Sequence, residues 1–414
     1  MGSWQRELGF ALRERVVRYT LALAVLLASV AVGAGLVATD SERTLLAELK
    51  DRVEEEKTLA LEAQSDPGSA AYYSFHLTWE PPAASAFTAY GQRRVLPWMH
   101  RIRALALEGQ LYEADTGNPA LASVGVLDFA FVAAYLLPLL LLVMLYDGEA
   151  SERRQTRYEL LLASHEGGGR LFLQRAIVRA LLLFVAIALP LLVGLIIAGA
   201  GPADWGTMFG ALALSIGIWL VLARVVTART ANGATAAVVL LGLWLLSAVA
   251  VPAAGRLLAD ALIPVPEGGE VLLAQREAVN DAWDLPKEAT MEPFVASHPE
   301  WADYAEIPTS FEWKWYYAFQ QVGDETAAPL SQALSEGVAA RDRFMSRVAW
   351  LSPPLLVERL IAAAAGTDRS AHQRYERCVR GFHERLRKFY YPMLFGVEPY
   401  SGERMTALPS FSPC

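Results

Sequence analysis

The sequence predicts a mainly α-helical, polytopic membrane protein with five transmembrane helices and two extracytoplasmic regions, helical or α+β. Three observations lead there. Hydrophobic residues make up 54% of the 414 and charged residues only 19%, too apolar for an ordinary soluble protein and too polar for a chain made only of spans. Apolar runs at 20–38, 126–146, 176–200, 207–226 and 235–252 each reach the ~18 residues that suggest a bilayer crossing. Arginine also falls on alternate connections. It is abundant in 147–175 and present at Arg224 and Arg229, and it is missing from the turn Gly201–Gly206. Short arginine-bearing loops stay on the cytoplasmic face, so the N-terminus is inside and the C-terminus outside.

The first segment, 1–38, carries Arg6, Arg13, Arg15 and Arg18 ahead of its apolar run. That order also describes a signal peptide, but the run exceeds the ~7–15 apolar residues of a typical leader and further spans follow, which favours an uncleaved first span. Gly33 and Gly35 either allow a close helix contact or face lipid. Residues 39–125 form the first extracytoplasmic region. From Asp40 to Asp66 no Gly or Pro interrupts good helix formers, so the span continues as a helix beyond the membrane, packed on its own domain rather than standing as a free stalk.

Residues 126–254 hold the other four spans. Asp128 opens the second one, where a carboxylate meets a helix N-terminus favourably. A transport role is the competing reading for an ionisable residue there. Pro138 lies in the middle of that span. The loop 147–175 follows. Its Thr156–Ser164 stretch is helix-compatible, Gly167–Gly169 act as a helix stop and hinge, and Arg170, Arg175 and Arg179 lead back into the membrane. The three glycines are not a Walker A loop, because no strand precedes them and no lysine follows a glycine.

The last region, 255–414, has no further run of crossing length. Its best candidate, Leu355–Gly366, is short and contains Glu358 and Arg359, so the region is read as a folded extracytoplasmic domain. Pro353-Pro354 starts a helix there, Gly366 ends it, and Thr367-Asp368 cap the next. The aromatic cluster Phe311–Phe319 is expected in a core, since aromatics dominate buried area. His372 and His383 lie ~16 Å apart along a helix, too far to share one metal ion. Cys378 and Cys414 both fall on the oxidising side, where they can pair; sequence leaves open a bridge or a dangling terminal thiol.

Charge narrows the function classes. Residues 39–126 sum to −5 and 256–414 to −6, which argues against a nucleic-acid partner. No nucleophile–base pair, carboxylate pair, cofactor motif or metal signature stands out, so the chain reads as non-catalytic.

The order of a span, a large external insertion, a second span and the loop ERRQTRYELLLASHEGGGRLFLQRAIVR resembles the type-2 ABC transporter permeases. It is closest to their bacterial branch with large extracytoplasmic domains of unknown function. Glu152-Arg153-Arg154 supplies the acidic and basic start of that family's loop, and Glu159-Leu160-Leu161-Leu162 its core. Thr156-Arg157-Tyr158 stands where the family has Gly-Thr-Leu, so the match is partial. The phrases HPEWADYAEIPTSFEWKWYYAFQQ, LSPPLLVERL and AGTD are similar to the same branch, which extends the resemblance over nearly the whole chain. One departure is that such permeases usually carry a sixth span after the external domain, whereas five are expected here.

The resemblance implies an exporter subunit in the bacterial inner membrane, paired with itself or a second permease and served by a separate ABC ATPase. In that picture Glu152, Arg153, Arg154, Arg157, Glu159, Leu160, Leu161 and Leu162 form the ATPase-coupling helix, the leucines as anchors and the arginines as rim. On the amphipathic pattern alone, the same helix can lie on anionic membrane lipid. The alternative function is a non-transporting receptor or scaffold whose external domains bind a partner.

Overall fold

The computed structural model describes residues 3–112, 127–148, 152, 168–230 and 232–414. An amphipathic helix α1 (Ser3–Arg13) precedes α2 (Arg15–Glu62), which runs unbroken for 48 residues, about 72 Å at the helical rise. Glu14, extended between them, makes the corner. Asp66 then caps α3 (Pro67–Tyr73) by accepting from the Ser69 amide at 2.8 Å. Two short strands, β1 (His76–Trp79) and β2 (Met99–Ile102), pair antiparallel with His76 opposite Ile102, and α4 (Leu107–Tyr112) follows.

Among the described residues four helices are long and apolar enough to cross a membrane, as in a helical membrane protein: α2, then α6 (Gly168–Ile197), α7 (Pro202–Arg229) and α8 (Gly233–Leu262). The fifth expected span, α5 (Phe129–Leu145), is apolar but only 17 residues, about 25 Å. It is shorter than the expected run 126–146 and lies in the middle of the bundle, with Phe129, Val132, Ala133, Leu137 and Leu141 wholly buried. Asp128 caps it, accepting from the Phe131 amide at 2.8 Å and the Gly91 amide at 3.3 Å. Gly168 and Gly169 lie in the first turn of α6. Gly167 and the stretch before it, where the helix stop and hinge are expected, lie outside the described residues, and from Gly168 one continuous helix runs through Arg170, Arg175 and Arg179 into the span.

Two helices widen at equivalent places. In α5, Val132–Leu136 form a π turn just before Pro138; in α8, Leu246–Ala250 do so just before Pro252. Proline has no N–H to give and its ring crowds the carbonyl four residues back, so the helix relaxes by one residue per turn. This lets α8 continue past Pro252 to Leu262, ten residues beyond its expected end. The loosened carbonyls are served from neighbouring elements. Ser215 Oγ donates to the Ala133 carbonyl at 2.8 Å, and Trp244 Nε1 donates to that of Tyr135 at 3.2 Å.

After α8 come α9 (Gly268–Asp284), α10 (Lys287–Ser297), α11 (Trp313–Val348), α12 (Pro353–Ala364) and α13 (Arg369–Leu394), and a single helical turn, Gly402–Met405, lies in the tail. Trp315, Tyr317 and Phe319 are buried with Phe294, Tyr391 and Phe395, so this part of the aromatic cluster is core, while Phe311 at its start is exposed. The region after the first span and the C-terminal region, the second of which the sequence allows to complete the first, pack together. Asp324 on α11 accepts from the Leu107 and Glu108 amides at 2.8 and 3.1 Å and from Arg387 of α13 at 2.8 Å. Arg380 grips Glu108 with two donors, at 3.1 and 3.0 Å. Burial nevertheless raises the Asp324 carboxyl above the usual range, outweighing Arg387. Cys378 and Cys414 are joined as a disulfide, with Cα atoms 6.2 Å apart.

Helix α12 does not belong to that aromatic core. Its Val357, Ile361, Ala362 and Ala365 fall in the same apolar cluster as α2, α5, α6 and α7. Gly366, at φ +64°, then turns the chain away, and Asp368 caps α13 by accepting from the Ala371 amide at 3.1 Å.

Candidate functional site at the loop end of the bundle

The loop expected to carry function leaves the bundle after α5 and returns through α6. Of its named residues only Glu152 is described; Arg153, Arg154, Arg157, Glu159, Leu160, Leu161 and Leu162 lie outside the described residues. What the structure supplies is the anchorage of the loop's two ends.

Arg175 and Arg179 are four residues apart on α6 and so share a face. That face looks onto α1 and the start of α2. Arg175 Nε donates to Glu7 Oε2 at 3.0 Å and its Nη1 to Glu152 Oε1 at 3.2 Å. Arg179 Nη2 donates to both carboxylate oxygens of Glu14, at 2.7 and 2.8 Å, and its Nη1 to the Met144 carbonyl at 2.8 Å. That carbonyl lies in the last turn of α5, where helix carbonyls lack internal donors and the dipole favours a cation. Gln174 Nε2 adds a bond to Ser3 Oγ at 3.1 Å. Two arginines therefore tie the returning helix to the N-terminal helix, to the corner at Glu14, to the loop at Glu152 and to the end of α5.

A cavity of about 670 Å³ opens among these groups, lined by Glu7, Glu14, Tyr146, Glu152, Arg175 and Arg179 together with apolar residues of α1 and α5. Asp147 closes its far edge against α8. A Cβ on Gly233 would collide with the Asp147 carboxylate, so the α7–α8 connection also touches the loop's start. Asn232 begins α8 by accepting from the Thr235 amide at 2.8 Å.

Sequence reading found Arg175, Arg179 and Glu152 but missed Glu7 and Glu14. They are the only acids in the basic N-terminal segment, a weak signal. Their partners lie 168 and 165 residues away, which no local pattern discloses. The arrangement is an ion-pair joint between α6, α1, the corner at Glu14, the loop at Glu152 and the end of α5. Among the described residues no cluster of His, Cys, Asp and Glu is built to hold a metal.

Residues 270–413 match a family model described as a domain of unknown function, DUF3526. No curated protein and no solved structure matches the chain.

Proposed function

We propose that this chain is the membrane permease subunit of an ABC-type exporter in a bacterial inner membrane, working as a pair of permeases with a separate ATPase. The loop end of the bundle faces the cytoplasm and the composite domain faces outward. The subunit itself hydrolyses nothing. The observation that carries the reading is the double-arginine joint. A partner pressing on the loop pushes on Glu152 and α6. Through Arg175 and Arg179 the same push reaches α1, the root of α2 and the end of α5, so three membrane helices move together.

Seating of the loop in an ATPase groove then changes the balance between inward-closed and outward-open arrangements only as far as the groove binds one better than the other. The basic short connections at this end and the arginine-free turn at the opposite end support the orientation. The resemblance of Glu152–Leu162 to the type-2 permease loop supports the nature of the partner.

The test is to find whether a reading frame beside this gene encodes an ATPase with a Walker A motif and whether the tagged full-length chain captures that ATPase in detergent. Capture is expected for the wild type and for Arg179→Gln, and loss is expected for Leu161→Asp. Equal capture by Leu161→Asp removes the loop as the docking element, and no capture by any form removes the exporter reading.

A further inference from the structure

The turn between α11 and α12 is exposed where a water-soluble domain has no reason to be apolar: Trp350 is 77% and Leu351 73% exposed. Its depth can be read from α8. The stretch 235–255 of that helix contains no charged residue and spans about 30 Å, the thickness of a bilayer's hydrocarbon core. Ser352 Oγ donates to the Ser247 carbonyl at 2.6 Å, and Ser247 lies eight residues below Gly255, about 12 Å. Leu257, Leu258 and Leu262 are exposed as well, so the apolar zone reaches at least as high as Gly255 and the turn lies at least that deep. A second contact agrees. A Cβ on Gly255 would meet Val348 Cγ1 at 2.8 Å, which puts the last turn of α11 level with the boundary and the two residues after Ala349 beneath it.

We propose that the end of α11, the turn at Ala349–Leu351 and α12 form a re-entrant hairpin. It dips into the leaflet on the side of the composite domain, with Trp350 and Leu351 packed against phospholipid acyl chains. The returning arm, α12, is built for that medium. On α12, Val357 and Ile361 pack among the membrane helices. The two charges on α12 have partners: Tyr135 Oη donates to Glu358 at 2.6 Å, and Arg359 donates to Asp342 at 2.9 Å and to Ser346 at 2.8 Å. Arg347, exposed in the last turn of α11, stands level with the boundary, where its long side chain reaches the headgroups. The π turns of α5 and α8 supply receptors for this hairpin, through Tyr135 and the Ser247 carbonyl. Acyl chains are the expected occupant because the tip continues the exposed apolar face of α8, through Leu246 and Val249 at the depth of Ser247. The inference needs only that the long helices cross a bilayer, so it stands or falls separately from the exporter reading.

The chain's two cysteines are both in the disulfide, so a single introduced cysteine can be labelled selectively. Leu351→Cys and, independently, Trp350→Cys carry an environment-sensitive fluorophore in the full-length chain in phosphatidylcholine/phosphatidylglycerol vesicles. Val397→Cys, beyond the far end of α13, is the water-exposed control. The hairpin predicts that both labels lose most of their emission to lipids spin-labelled on the acyl chain and are insensitive to iodide, the reverse of the control. Quenching by iodide as at Val397 overturns the proposal. Blue-shifted emission that neither quencher reaches also overturns it, by showing that protein, such as a second copy, covers the tip.

Discussion

The strongest single perturbation available outside the membrane is at Arg93. Its side chain is 4% exposed and that of Glu42, on α2, is 2% exposed. Arg93 grips both Glu42 oxygens, donates to the Glu80 carbonyl at 2.7 Å and reaches the Glu80 carboxylate at 3.4 Å; Tyr90 Oη donates to Glu42 at 2.6 Å. Arg93→Met removes the cation that grips Glu42 and leaves that carboxylate buried without it. Breaking one side of a buried pair typically costs about 3–5 kcal/mol, whereas replacing both partners by apolar residues of similar volume is often near neutral. The expected pattern is therefore unusual. Arg93→Met lowers the unfolding midpoint of the detergent-solubilised protein by many degrees, and the double change Glu42→Met with Arg93→Met recovers most of the loss. Thermal unfolding followed by circular dichroism at neutral pH measures it. A single variant as stable as wild type, or a double variant no better than the single, refutes the reasoning that α2 is fastened to its domain through a desolvated ion pair.

Further predictions concern packing, titration and the disulfide. A Cβ at Gly35 would collide with the Phe87 carbonyl, while one at Gly33 meets open space. Gly35→Ala should therefore cost about 1–3 kcal/mol by overpacking and Gly33→Ala should gain up to about 1 kcal/mol of helix propensity; equal midpoints for the two variants contradict this. Burial, then Lys57, lowers the His76 pKa to about 3, and burial, then His372, lowers that of His100 to about 4. Both are neutral when folded and protonate near 6.5 when unfolded, so their contribution is complete above that pH and is lost as pH falls toward 4 and 3. Each costs about 2 kcal/mol at pH 5, with Asp324, raised by burial, opposing. The unfolding midpoint should fall between pH 7.5 and 5, less steeply in His100→Gln, and a flat profile contradicts the assignment. The Cys378–Cys414 bond closes a loop of 36 residues, worth about 4 kcal/mol by loop entropy, so Cys414→Ser should lower the midpoint in non-reducing buffer and match reduced wild type.

What could be read from the sequence divides along physical lines. Hydropathy reveals helices that face lipid, because the signal is carried by each helix alone. Pro138 and Pro252 were visible too, and the π turns before them follow from what a missing N–H does to the carbonyl four residues back. Gly33 and Gly35 were indistinguishable by type; only the approach of Phe87 from a segment 50 residues away separates lipid-facing from packed glycine. The α12 hairpin was hidden for the same reason. Glu358 and Arg359 look prohibitive in an apolar run until Tyr135, 223 residues distant, and Asp342 are seen beside them. At the loop end the arginines were legible as interfacial residues, and their acidic partners on α1 and at the corner were not.

The proposed coupling carries motion of the loop through Arg175 and Arg179 to the membrane helices, so that a docked ATPase and the permease work as one machine. The most direct measurement is the rate of ATP hydrolysis by the partner ATPase in vesicles, alone, with the wild-type chain, and with Arg179→Gln. Hydrolysis that rises with the wild type and falls back toward the ATPase-alone rate with Arg179→Gln, capture being intact, is the predicted result. A rate that is the same in all three vesicle preparations contradicts it.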